Sequence, residues 1–259
     1  GLQLTPENIP NAEYMTKVTA AVVAGSRPDT GMVSVGRFPD LHAMGALVDL
    51  TDKIAAWPDA KDFAPTAFDA AGKGGRRYGV PAFSFVSWAY WRKDYFEQAG
   101  LAGPPDTMEQ FLDACLKVTD TSKNRYGFGM RGGDGGHQFV VDMIQAWGSP
   151  LVVDGRMAID KAKATEAVRF YAELFTKAKV VPPSAPNDSY RQLMEGFRTG
   201  QTAMIWHHTG SLTEILPALP VGSFGTAIRP KGPAARIAPV DHLYNGVMRP
   251  DRLEPGWAW

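Results

Sequence analysis

Phe83, Phe85, Trp88, Tyr90 and Trp91 crowd nine residues of one segment rich in strand formers, before the pattern changes at Arg92 to a short amphipathic helix ending at Gly100. Aromatic faces with few charges around them can hold an apolar ring or the C–H face of a sugar, and they serve equally as core filler. Composition alone favours filler. A second chemical candidate is the glycine-rich loop Asn124 through Gly136, which runs into an apolar helix expected from Gln138 to Trp147. Gly127, Gly129 and Gly132 satisfy G-x-G-x-x-G, and Asp154 follows at about the ~20-residue interval of a dinucleotide fold. That fingerprint needs a buried strand before its first glycine, whereas Asp120 through Arg125 are polar. A glycine loop opening a helix also leaves backbone N–H groups pointing at whatever lies in front of it, and Arg131, Asp134 and His137 share that position.

His207 and His208 are adjacent, so on a strand they are expected to point to opposite sides and make a poor bidentate metal site. No spacing of Ser, His and Asp singles out a nucleophile with its base. The motifs G-x-S-x-G, H-E-x-x-H, paired C-x-x-C and G-x-x-x-x-G-K-S/T do not occur. No catalytic residue, metal or cofactor is expected.

The 259 residues, 44% hydrophobic and 21% charged, can bury one large core or two modest ones. Twenty-seven basic residues balance twenty-seven acidic ones, so nothing electrostatic favours nucleic acid or a membrane surface as partner. No run approaches the ~18 apolar residues of a membrane span. No charged-then-apolar signal precedes the first helix, so the chain is either cytoplasmic or has had its signal removed. Cys115 stands alone between Leu112 and Val118 on an apolar helical face and reads as buried filler.

Leu2 through Thr5 alternates like a short strand, a helix carries Tyr14, Val18, Ala21 and Val22 on one side, and Met32 through Val35 is a buried strand. This β-α-β order implies a parallel sheet. Thr107 and Gln110 stand at capping-box spacing before a helix that buries Phe111, Leu112, Cys115 and Val118; Ser189 and Gln192 repeat the device. Asp154-Gly155 marks a hairpin turn, Asp160 caps a helix, and Thr202 through Trp206 is a strand.

Several of these segments resemble those of the family 1 extracellular solute-binding proteins, the maltose-binding-protein-like sugar receptors of ABC importers. The resemblance is carried by Gly79-Val-Pro81 with its aromatic strand, Tyr90 through Leu101, Pro104 through Phe111, Ala20 through Asp29, and Phe197, Gly200, Ala203 and Met204. It implies an α/β, two-lobe, type II periplasmic-binding-protein-like fold. One lobe would take residues 1–82 with 244–259 and the other 83–243, with crossovers near 81–90 and 239–248. Pro250 through Trp259 resembles the start of the family's "E-A-A-W" helix, and against a usual member the chain looks truncated at both ends.

The resemblance also implies a ligand set. Arg37 would stand at the edge of an interlobe cleft, unless it is a plain surface charge. Phe83, Phe85 and Trp88 would line the cleft, and Arg131, Asp134 and His137 would reach ligand hydroxyls. Trp206 would stack on a ring while His207 or His208 gives a hydrogen bond, and Asp241, His242, Tyr244 and Asn245 would meet ligand on the return crossover. The implied function is the substrate-binding component of an ABC importer, a periplasmic monomer that binds a sugar or polyol and works with membrane permease subunits. Two enzymatic alternatives stand beside it: an NAD(P)-dependent oxidoreductase on the glycine pattern, and a carbohydrate-active hydrolase pairing Asp134 with Asp241.

Overall fold

The computed structural model describes residues 3–10 and 13–258. Contacts divide the chain into two compact units, the first running to Phe85 and resuming at Val240, the second comprising Val86–Pro239. In chain order the first unit opens with helix α1 (Tyr14–Val23), strand β1 (Thr30–Ser34) and the short helices α2 (Phe38–Ala43), α3 (Thr51–Ala56) and α4 (Pro65–Asp69). A small hairpin of β2 (Gly72–Lys73) and β3 (Arg76–Arg77) leads into β4 (Val80–Arg92), which carries the chain into the second unit.

There α5 (Lys93–Gln98) ends at Gly100, whose φ of 68° a side chain would disfavour. Helix α6 (Met108–Val118) starts on a complete Thr107/Gln110 capping box. Next come β5 (Tyr126–Gly129) and α7 (His137–Ala146). The hairpin of β6 (Val152–Val153) and β7 (Arg156–Met157) turns at Asp154 and Gly155, both at positive φ. Asp160 caps α8 (Lys161–Thr176) through the N–H groups of Ala162 and Lys163, and Ser189/Gln192 box the start of α9 (Tyr190–Arg198). Strand β8 (Thr202–His208), helix α10 (Leu212–Ile215) and β9 (Phe224–Ala227) complete this unit. The chain then returns to the first through β10 (Val240–Val247) and α11 (Leu253–Trp257).

In the second unit β8 pairs parallel with β5 and antiparallel with β4, which pairs antiparallel with β9. The pleat sends alternate residues to opposite faces. Ala89 packs with Phe96, Phe111, Phe128, Met204 and Trp206, whereas Tyr90 packs with Leu193, Phe197, Ile205 and Ile215. Helices therefore cover both faces. In the first unit β1 lies antiparallel to β10, with Val33 opposite Tyr244, over a core of Val18, Phe38, Leu41 and Met248.

One expectation needs correction here, and one alternative loses its basis. The parallel β-α-β opening does not form among the described residues: Gln3, Leu4 and Thr5 carry no regular structure, and the neighbour of β1 is the antiparallel β10. Alternation alone makes a strand only where a sheet edge accepts it. Leu2 and Trp259 lie outside the described residues. The dinucleotide pattern also fails, because Gly127 and Gly129 are buried residues of β5. A Cβ at Gly127 would sit 2.5 Å from the Cys115 carbonyl oxygen, and one at Gly129 would sit 2.8 Å from Ile205 Cγ2. These glycines admit α6 and β8 rather than a pyrophosphate. Among the described residues, no helix is long and apolar enough to cross a membrane.

The contact with the α6 backbone yields a stability prediction. Gly127→Ala must push strand and helix apart, and a loss of roughly 2 kcal/mol is expected, as for other overpacked interiors. A lowered urea midpoint at unchanged m-value would show it.

Candidate functional site

The carboxyl ends of the parallel pair β5 and β8 lie at one edge of their sheet, where open α/β sheets collect ligands. Strand β8 ends in His207 and His208, and β5 runs into the loop that carries Arg131. Trp88 stands opposite His207 in the β4–β8 register, so the two share a sheet face. Tyr190, the first residue of α9, lies over both imidazoles, its ring centroid 4.8 Å from that of His207 and 6.2 Å from that of His208. This cluster belongs entirely to the second unit.

The histidines and Tyr190 are held by neighbours. Tyr90 donates from its hydroxyl to the carbonyl of His208 at 2.9 Å and so fixes the strand end. His207 Nδ1 lies 2.7 Å from Ser211 Oγ, both side chains being buried. Burial, with His208 and Arg131 adding to it, pushes the His207 imidazole down to about 3. His208 moves in the same direction, again chiefly through burial. The Tyr190 hydroxyl donates to Glu214, and burial together with that bond and the carboxylate's charge raises it to about 12. Glu214 also lies 3.6 Å from Arg198.

The glycine loop does not turn these N–H groups toward a ligand: Gly132, Gly133 and Gly136 donate them to the carbonyls of Ala185, Asp188 and Gly133, so they are already bonded within the protein. The glycines serve close packing: a Cβ at Gly132 would meet Pro186 at 2.7 Å, and one at Gly133 would meet Asn187 at 2.6 Å. What the loop offers is Arg131. Its Nε donates to the Asp134 carbonyl at 2.5 Å, and the side chain is half-buried. Asp134 and His137 are exposed beside it.

Trp206 has no face to offer a solute. It is 1% exposed, packed between Phe111 and Phe128, with the Arg229 guanidinium 4.8 Å from its ring centre. Residue 206 points to the opposite side of the sheet from 207, toward the larger core. Tyr244 is likewise interior, its hydroxyl donating to the Ala67 carbonyl at 2.6 Å. The two histidines do not diverge as strand alternation would have it; their centroids are 4.2 Å apart. His208 is the last strand residue and precedes the turn at Thr209, where the pleat ends. Among the described residues, no three His, Cys, Asp or Glu side chains converge as a metal site requires.

The remaining candidates lie in the first unit. Arg37 precedes α2 with its guanidinium 4.6 Å over the Tyr14 ring. Asp241 is half-buried; desolvation raises its carboxyl against the opposing pull of His242 and Arg37. His242 Nδ1 lies 2.6 Å from Ser84 Oγ, Phe83 packs edge-on against Phe85, and Asn245 is half-buried on β10 opposite Met32.

Tyr190, Ser211 and Glu214 escaped the sequence reading. Ser211 and Glu214 have the S-x-x-E spacing of a helix start just beyond the histidine pair, which was the signal available.

Comparison with known proteins adds a family match, two curated relatives and two solved structures. The family described as bacterial extracellular solute-binding protein matches residues 1–247. A lactose-binding protein of Rhizobium radiobacter is 31% identical over 172 residues, 62% of this chain and 38% of the relative. An erythritol/L-threitol-binding protein of Mycolicibacterium smegmatis is 24% identical over 202 residues, 69% of this chain and 42% of the relative. Among solved structures, an ABC transporter solute-binding protein of Thermotoga lettingae bound to α-D-tagatose superposes with a TM-score of 0.86 at 25% identity, covering 95% of this chain and 65% of that one. One from Agrobacterium radiobacter with ribitol gives 0.84 at 26%, covering 97% and 66%. The α/β fold is therefore that of periplasmic binding proteins, and the chain spans well under half the length of the two curated relatives.

The neutral, buried His207 ties stability to pH. Its proton affinity is lower folded than unfolded, so its stabilising share is complete above about pH 6.5 and is lost as pH falls toward about 3. His207→Gln should flatten the fall in unfolding free energy below pH 6.5 by up to ~1.4 kcal/mol per pH unit, read by urea titrations across that range.

Proposed function

The chain belongs to the bacterial extracellular solute-binding protein family, and from that premise we infer that it binds a sugar or polyol without altering it, as the substrate-binding component of an ABC importer. The observation carrying this reading is the gathering of Trp88, Arg131, Tyr190 and His208 near the ends of β5 and β8. A polyhydroxylated solute asks for flat faces to lie against its C–H surface and for fixed donors and acceptors to meet its hydroxyls. Trp88 and Tyr190 supply the faces, while His208, Arg131 and the Tyr190–Glu214 pair supply the polar groups. The protein works outside the cytoplasmic membrane as a monomer and passes its solute to the importer's membrane subunits.

Thermal unfolding of the purified chain with lactose, D-tagatose, ribitol, erythritol or D-mannitol tests the reading. A solute present at 100 times its Kd stabilises the folded state by ~2.7 kcal/mol, a readily measured shift. His208→Ala should weaken the responding solute about tenfold, the scale of a lost hydrogen bond and ring contact. Flat curves with every solute, or new reducing ends released from oligosaccharides, would reject it.

A further inference from the structure

We propose that the solute carries an acidic group, carboxylate or phosphate ester, and that Arg131 reads it. The proposal rests on the solute-binding reading and narrows its substrate class. Three other arginines of the second unit are neutralised in place, Arg92 by Asp94 at 2.6 Å, Arg229 by Asp142 at 2.7 Å and Arg236 by Asp106 at 2.5 Å, while Arg125 lies over the Tyr95 ring and donates to Gln98, away from the ends of β5 and β8. Arg131 has no carboxylate bonded to it among the described residues. Its Nε is taken by a neutral acceptor, the Asp134 carbonyl, which leaves the two terminal nitrogens as a fork of donors.

The charged groups nearby do not fill that fork. Glu214 is engaged by the Tyr190 hydroxyl and by Arg198. The Asp134 side chain is exposed and acts only at longer range. The remaining neighbours that sense Arg131, namely Tyr171, Tyr190, His207 and His208, are uncharged at neutral pH. Withdrawing a cation from water without a counter-ion is costly, and that cost is recovered when an anionic ligand supplies the missing charge.

The backbone is shaped around this side chain. Gly135 adopts a φ of 79°, which favours glycine, and a Cβ there would fall 2.5 Å from the Arg131 Cζ and displace the guanidinium. Gly136 packs against the Arg131 backbone, where a Cβ would be 3.2 Å from the carbonyl carbon. A guanidinium seated by its own loop beside Tyr190 and the histidine pair is a fixed receptor for a planar or tetrahedral oxyanion.

Calorimetry with matched pairs tests this on the unmodified chain: D-gluconate against D-glucitol, D-galacturonate against D-galactose, and sn-glycerol 3-phosphate against glycerol, each at 50 and 300 mM NaCl. The acidic member of a pair should bind at least tenfold more tightly, with the gap narrowing at the higher salt, and the responding pair tells carboxylate from phosphate. Arg131→Gln should bring the acid-to-neutral ratio to within about twofold of one, while Arg131→Lys keeps part of it. Equal or tighter binding of the neutral members would overturn the acidic-solute inference and leave the solute-binding reading standing. Inorganic phosphate or acetate binding as tightly as the sugar acids would overturn it as well, marking an adventitious anion site only. Silence from every pair and from the neutral sugars would remove both.

Discussion

The pleat of β4 is the constraint on which the second unit depends. Its thirteen residues carry Trp88 and Tyr90 to one face and Ala89 and Trp91 to the other, where each set meets its own group of helices. A slip of one residue would exchange the two sets, taking Trp88 away from α9 and α10 and bringing Trp91 onto them. The register Trp88 to His207 and Tyr90 to Ile205 is therefore fixed by packing on two sides at once. That register also sets the site, because the Tyr90 hydroxyl can hold the His208 carbonyl only when the ring is buried at its proper depth.

The opposite face carries a different kind of order. Arg229, 2% exposed, is bonded to Asp142 and flanked by the rings of Trp206 and Phe139. Desolvation raises the Asp142 carboxyl, and the arginine's charge pulls against it. A buried pair of this kind is weak evidence for net stability, yet removing one partner commonly costs ~3–5 kcal/mol because the other is stranded. It links the segment after β9 to α7 in one arrangement, so that the sheet beneath the site has a single way to pack.

Local chemistry made much of the fold legible in the sequence. The capping boxes at Thr107 and Ser189, the Asp160 cap, the Asp154-Gly155 turn and the stop at Gly100 each rest on contacts within a few residues, and all form. The β1 pairing was hidden because its partner, β10, lies about two hundred residues away, and nothing local specifies it. In the site the sequence marked polar and aromatic residues but not their depth. Trp88 and Trp206 look alike on paper; half-burial and full burial separate them only after the helices are in place. Tyr190 and Glu214 are distant in sequence and meet through the packing of α9 beside α10, so neither stood out alone.

The Ser211–His207 contact has a structural role and not a catalytic one. A serine hydroxyl 2.7 Å from an imidazole has the outline of a nucleophile with its base. Ser211, however, is 0% exposed, so no substrate carbonyl can approach its oxygen. His207 is held near 3, far from the neutral range in which a general base accepts a proton usefully. The same burial that disables the pair as chemistry makes it rigid: the bond locks the ring of His207, which with Tyr190 sets the position of His208. Side chains already held in one conformation spend little entropy in any contact they make.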